Sequence, residues 1–184
     1  MLSREEDIQI LIKGCLNNDR TAQEHLYKRY YHAMMALCVR YTKDRNDALE
    51  ILNDAFLKVF KRLIQYDAAK GSLYTWMKRI VINTAIDFLR KQQAYHNMEV
   101  MLVDEEEPGI ENEAVGKMNG EELLKIIRQL PAVTRLVFNL YVVDGYNHRE
   151  IGVMLGISEG TSRWHMSEAR RRLKIIIHLM ETYS

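Results

Sequence analysis

From Glu159 to Lys174 the chain reads EGTSRWHMSEARRRLK. Wound as a helix at about 100° per residue, this run sets Gly160, Trp164, Ser167 and Arg171 on one side, with Arg163 and Glu168 at its margins. Ser162, Met166, Ala169, Leu173 and Ile176 fall on the opposite side, which is expected to pack inward. The outer set combines guanidinium forks, a hydroxyl, an indole edge and a carboxylate. An arginine can bond guanine at two positions, a carboxylate can accept from cytosine, and an apolar edge can touch a thymine methyl. Gly160 and Thr161, in the first turn, can bring backbone N–H groups to a phosphate. The chemistry on offer is the reading of base edges; a merely solvated face is the plainer alternative. His165 lies on the flank and reads as a phosphate or packing residue, not a metal ligand.

A helix can read bases only if something holds it. Asn147 can cap a preceding helix, with Glu150 three residues on to complete a capping box. Ile151 and Leu155 give that helix one apolar face, and Gly152 is small enough for a second helix to pass close by. Gly156 falls just past the last apolar position, where a left-handed residue ends a helix at little cost. Ile157 can plug the corner, and Ser158 can cap the helix that starts at Glu159. Two helices on so short a Gly turn suit the helix-turn-helix, whose second helix lies in the DNA major groove. Two ordinary core helices are the plainer alternative.

A second constellation lies upstream, in SLYTWMKRIVINTAIDFLRKQ, with Ser72 as its cap. Leu73, Met77, Ile80, Thr84 and Phe88 make one inner face, while Val81, Ile82 and Ile86 spread apolar character almost all round. The helix should therefore sit centrally among its neighbours. Its polar exceptions, Thr75, Arg79, Asn83 and Arg90, lie whole turns apart, with Lys70, Lys78 and Lys91 nearby. A cationic line with an amide, beside a loop from Gln65 to Gly71 and the aromatics Tyr66 and Tyr74, suits single-stranded DNA: cations track the backbone while a pocket holds an unstacked base.

Three helices are expected before it. Ser3 and Glu6 cap the first, which runs to about Leu16. The second, from about Thr21 to Tyr41, carries Leu26, Tyr30, Met34, Leu37 and Tyr41 inward. Asp44 opens the third, with Ala48, Leu52, Ala55, Val59 and Leu63 as its stripe and Asp47, Glu50, Asn53, Asp54, Lys58 and Lys61 on the other face.

The chain has 184 residues, 47% hydrophobic and 28% charged, typical of a soluble fold. No apolar run is long enough to span a membrane, and MLSREEDIQI is too charged for a signal peptide. Cys15 and Cys38 lack the close pairing of a zinc or redox site and read as buried thiols in a reducing cytoplasm. Only two prolines and nine glycines leave little material for the turns of a β-protein, so the fold should be all-α. Between Asn97 and Lys117 seven acids face the single base Lys117, a net −6 within a chain that nets +1, which leaves +7 elsewhere. That stretch, with Pro108, Gly109 and Gly116, reads as a flexible acidic linker. The expected domains are 1–96, a four-helix bundle, and 119–184, the helix-turn-helix domain, joined by linker 97–118. No paired carboxylates, Gly-rich phosphate loop or metal spacing occurs; His148 and Glu150 are explained by the cap. No enzyme activity, metal, cofactor or small-molecule substrate is expected.

Four stretches in order, DALEILNDAFLKVFKRL, SLYTWMKRIVINTAIDFLR, LPAVTRLVFNLYVVDGYNHREIG and LGISEGTSRWHMSEARRRL, resemble a bacterial sigma factor of the extracytoplasmic-function (group 4) type across nearly the whole chain. The resemblance implies a region 2 that binds core RNA polymerase through the helix Asp47 to Leu63, with Asp47, Glu50, Asn53, Asp54 and Lys58 as contacts. It implies capture of a flipped base of the −10 element around Tyr66, Lys70, Ser72, Tyr74, Thr75, Arg79, Asn83 and Arg90. Region 4 would read the −35 element through Arg149, Gly160, Thr161, Arg163, Trp164, Ser167, Glu168 and Arg171. Implied partners are core RNA polymerase, promoter DNA and an anti-sigma factor, for a cytoplasmic protein that is monomeric when free. The family commonly has Ala at Gly152, a small-for-small change; Val at Ser162, which weakens or reorients packing there; a small residue at Trp164; and a base at Glu168. Two other readings stay open: a conventional helix-turn-helix regulator, which should carry an α/β receiver or ligand-binding sheet, and a non-DNA-binding helical interaction protein of a sigma pathway.

Overall fold

The structure, a computed structural model, describes residues 4–42, 44–96 and 120–182. Among the described residues there is no strand, and the chain divides into two compact helical units, Met1–Phe88 and Leu89–Ser184. The expected Ser3 cap and the acidic linker lie outside the described residues. Among those described, no helix is long and apolar enough to cross a membrane.

The first unit is built from α1 (Arg4–Leu16), α2 (Arg20–Tyr41), α3 (Arg45–Arg62) and α4 (Leu73–His96), whose last turns run past the division between units. Local chemistry sets the helix starts. The Asp19 carboxylate accepts from the Thr21 amide at 2.8 Å to open α2, and the Ser72 hydroxyl accepts from the Thr75 amide at 3.2 Å to open α4. Asp44 caps α3 in the same way. The stripe Ala48, Leu52, Ala55, Val59 and Leu63 is buried, as its spacing predicts, and so are Leu26, Met34, Leu37 and Tyr41 of α2, which packs against α3. Each buried Leu, Val or Met side chain among them contributes about 1.5–3 kcal/mol on leaving water. Ile80, Val81, Ile82 and Ile86 are all buried, so α4 occupies the central position that its all-round apolar character demands. Tyr30 and Phe88 are only half-buried. The chain leaves α3 through a 3-10 turn, Leu63–Gln65, and the stretch expected as a plain loop, Gln65 to Gly71, holds a second, Ala68–Lys70, nucleated by Asp67, whose carboxylate accepts from the Ala69 amide at 3.0 Å. Cys15 and Cys38 are both buried, and burial pushes the Cys38 thiol up to about 12.

The second unit contains α5 (Gly120–Ile127), α6 (Ala132–Phe138), a π-helical turn (Asn139–Val143), α7 (His148–Leu155) and α8 (Glu159–Thr182). Its core joins Ile126, Leu130, Val137 and Leu140 to Ile151, Met166, Ala169 and Ile177. The predicted capping box is complete: the Glu150 amide donates to the Asn147 side chain at 2.9 Å and the Asn147 amide to the Glu150 carboxylate at 2.8 Å. Gly156 ends α7 in the left-handed region, at φ 70°. Leu173 and Ile176 are half-buried, and Ile177 takes the fully inward position at that end of α8.

Candidate nucleic-acid interface

The approach of α7 to α8 is set by backbone at the turn. The Ile157 amide donates to the Gly152 carbonyl at 3.0 Å. A β-carbon on Gly152 would lie 2.8 Å from the Ile157 carbonyl oxygen, which is backbone and cannot swing aside. Alanine at this position, harmless from the resemblance alone, is therefore excluded unless the turn shifts. At the start of α8 the Ser158 hydroxyl accepts from the Thr161 amide at 2.9 Å and bonds the Thr161 hydroxyl at 2.8 Å. The Thr161 amide, expected to face a phosphate, is thus already committed to the helix cap.

On α8 the exposed side carries Gly160, Arg163, Trp164 and Ser167, with Trp164 59% exposed. Arg149, on α7, is also exposed. Arg163 pairs with Glu159 one turn earlier. Glu168 departs from expectation. It is only 8% exposed, accepts two hydrogen bonds from Arg171 at 2.8 Å and is also held by Arg172. The Arg171 bonds, working against burial and joined by those of Arg172, draw its carboxyl down to about 2. Glu168 is an internal strut of α8, and both oxygens that would accept from a base are spent on arginines. Half-buried Arg171 belongs to the same clamp. His165 is a packing residue: its Nδ1 lies 3.1 Å from the Thr134 hydroxyl, and burial lowers its pKa.

In the first unit Thr75, Arg79 and Asn83 are exposed along α4, and Tyr74 is exposed at its start; Arg90, on the same helix past the division, is exposed too. Lys70 is exposed and 3.5 Å from Asp67. Ser72 bonds the Thr75 hydroxyl at 2.9 Å besides capping the helix. Tyr66 is tied down: its hydroxyl donates to the Gly71 carbonyl at 3.1 Å, and its ring lies 5.8 Å from that of Trp76. It braces the loop. On α3, Glu50, Asn53 and Asp54 are exposed and Asp47 is half-buried; Asn53 accepts from the Tyr27 hydroxyl at 3.3 Å. Lys58 leaves that face. Its ammonium reaches across to α4, donating to the Thr84 hydroxyl at 3.1 Å and pairing with Asp87 at 3.5 Å.

By sequence alone His148 is explained by the helix cap and Ser162 by inward packing. The structure joins them: the buried Ser162 hydroxyl lies 3.0 Å from His148 Nδ1, and the His148 ring stacks on Tyr141 at 4.3 Å. The one signal available was a hydroxyl where an apolar residue is usual.

The family model described as Sigma-70 region 2 matches residues 26–95, and that described as Sigma-70, region 4 matches residues 120–173. Together they span about two-thirds of the chain. The RNA polymerase sigma-H factor of Pseudomonas aeruginosa is 26% identical over 184 residues, covering 94% of each chain. The ECF RNA polymerase sigma-E factor of Escherichia coli K12 is 27% identical over 185 residues, covering 94% of this chain and 95% of its own. Among solved structures, the sigma factor RpoE of Bartonella quintana, determined with the anti-sigma factor NepR, shares the fold at a TM-score of 0.54 and 18% identity, covering 84% of this chain and 96% of that one. With a region 2 match over its front half, the chain is neither a conventional receiver-type regulator nor a stand-alone interaction bundle. Both regions in this order, and relatives matched over nearly their whole length, establish that the chain belongs to the sigma-70 family of transcription initiation factors, in its extracytoplasmic-function group, and is not an enzyme.

Proposed function

We propose a division of labour within this sigma factor between residues 1–96 and 119–184, tethered by the acidic stretch 97–118. The front part docks core RNA polymerase through the α3 face of Asp47, Glu50, Asn53 and Asp54. Its α4 face, Thr75, Arg79, Asn83 and Arg90 with Lys70 and Tyr74 beside it, holds the opened strand of the −10 element, and Tyr66 and Ser72 shape the loop that receives a flipped base. The rear part lays α8 in the major groove of the −35 element, where Arg163, Trp164 and Ser167 meet base edges while Arg149 and Gly160 meet the backbone. Polymerase does the chemistry.

The observation that carries this reading is α4: a helix buried on nearly every side that still leaves Arg79 and Asn83 in solvent, one turn apart. Packing has no use for that line. An anti-sigma factor, the kind of partner in the Bartonella structure, would act by covering these faces. The free chain is a monomer, and its place is the cytoplasm, where the polymerase and promoters are. The test is reconstitution with core RNA polymerase and sequencing of transcripts begun on genomic DNA. Discrete start sites absent with core enzyme alone are expected; an unchanged distribution overturns the reading.

A further inference from the structure

Ser162 is the polar exception on the inner side of α8. Its neighbours on that side, Met166 and Ala169, are apolar and buried, and Ser162 itself is 0% exposed. A hydroxyl so placed must find a partner inside the protein. The partner is His148, the first residue of α7, at 3.0 Å through Nδ1. The same imidazole lies flat on Tyr141, at 4.3 Å and 13° between ring planes. Tyr141 belongs to the π-helical turn that precedes α7. One ring therefore joins three consecutive elements: the π-helical turn, α7 and α8.

The two helices are also joined at the far end of α7, where Gly152 meets the Ile157 backbone. That backbone contact acts at the turn, and further along α8 is held by the buried Met166, Ala169 and Ile177 and by the pair of His165 with Thr134 of α6, so between turn and core the first two turns of α8 need a directional tie of their own. The His148–Ser162 bond supplies what is missing, because a hydrogen bond between an imidazole and a hydroxyl holds a direction as well as a distance. Trp164 and Ser167 lie on the side of α8 that points away from Ser162. On a helix about 10–12 Å across with its side chains, a roll of about 10° moves an outer side chain by about 1 Å. Hydrogen bonds to base edges do not survive such a displacement.

We propose that His148 is a positioning residue for promoter reading: by clasping the buried Ser162 hydroxyl while stacked on Tyr141, it sets the roll at which α8 presents Trp164 and Ser167 to the −35 bases. This rests on the reading above that α8 enters the major groove. An apolar residue at position 162 would bury equally well without specifying the roll, so this chain's departure from the family's usual Val has a function beyond filling space.

The test uses holoenzymes reconstituted from core RNA polymerase and the full chain, wild type or carrying Ser162→Ala, His148→Phe, or His148→Phe with Ser162→Val. Transcripts begun on genomic DNA are sequenced, base preferences at the −35 and −10 positions are extracted, and thermal melting of each free chain is recorded. Ser162→Ala and His148→Phe are expected to weaken −35 preference about three- to tenfold, the worth of one such bond, with −10 preference unchanged. The apolar pair, which keeps the ring stack and refills the interior, is expected to melt with the wild type while its −35 base preference stays altered. That separation of melting from reading is what packing alone would not produce. A pair that melts like wild type and reads like wild type overturns the proposal. Should the pair fail to fold, an unchanged −35 preference in Ser162→Ala, the smallest change, overturns it as well. A wild-type holoenzyme that starts nowhere new overturns the functional reading and this inference together, whereas an active wild type with indistinguishable variants overturns only the inference.

Discussion

Glu168 gathers Arg171 and Arg172 onto one turn of α8, and this has a measurable pH signature. Its carboxyl sits at about 2 in the folded protein against an ordinary 4.5. A depressed value means stability that is fully present above about 4.5 and lost as pH falls toward about 2. Comparing Glu168→Gln with wild type by thermal melting, the second unit should lose on the order of 2 kcal/mol at pH 6, with the gap closing near pH 2. A gap that persists at pH 2 would exclude the clamp. Lys58 makes the same kind of point on α3. Lys58→Met should destabilise the first unit by about 1 kcal/mol through loss of Thr84 and Asp87, discounted because the ammonium is partly in water. Chemical denaturation of the two chains checks it. The spacing of Glu168 to Arg171 and Arg172 was legible in the sequence; the choice between bases and arginines was not, because burial decides it. The Lys58 bond joins residues 26 apart, and no local pattern announces such a pair.

Helices themselves follow from short-range chemistry, and here the sequence says most. The caps at Asp44, Ser72 and Asn147–Glu150, the left-handed Gly156 and the stripes of α3 and α4 all depend on neighbours within a turn or two. The π-helical turn at Asn139–Val143 does not. It differs from a continued α-helix by a slip in hydrogen-bond register, and nothing in FNLYVVDG marks where the slip occurs. The helix-turn-helix corner is tighter than its composition suggests. Gly152→Ala should cost about 1–3 kcal/mol, since the new methyl meets a backbone oxygen at 2.8 Å and the turn must open. Melting of the purified variant, with the −35 preference of its holoenzyme, measures the loss; a neutral result would mean that the corner yields freely.

For the whole chain, charge and connectivity decide how promoters are chosen. On the proposed reading two small faces would each make few phosphate contacts, and the net −6 of residues 97–117 would compete with DNA for the +7 carried elsewhere. Stacking a captured base yields about 1–3 kcal/mol, which roughly offsets the cost of extracting it. Free protein should therefore bind promoter duplex with Kd in the nonspecific range, about 10⁻⁴–10⁻⁶ M at physiological salt. Replacing the seven acids with serine should tighten it, and fluorescence anisotropy with labelled duplexes reads both. Selectivity should emerge only in the holoenzyme, where polymerase holds the two faces at a working separation and raises their effective concentration on one promoter. Tight, sequence-selective binding by the isolated chain would contradict this.

Cys15 and Cys38, the chain's two cysteines, are both sealed within the first unit, and the second has none. A thiol-alkylating reagent added to native protein therefore acts as a stopwatch on one unit alone. Cys38, fully covered and reluctant to ionise, is modified only when that bundle opens, whatever the rear unit is doing. Without any engineered label, the chain can report whether docking on polymerase, or sequestration by an inhibitor, slows the opening of its front unit.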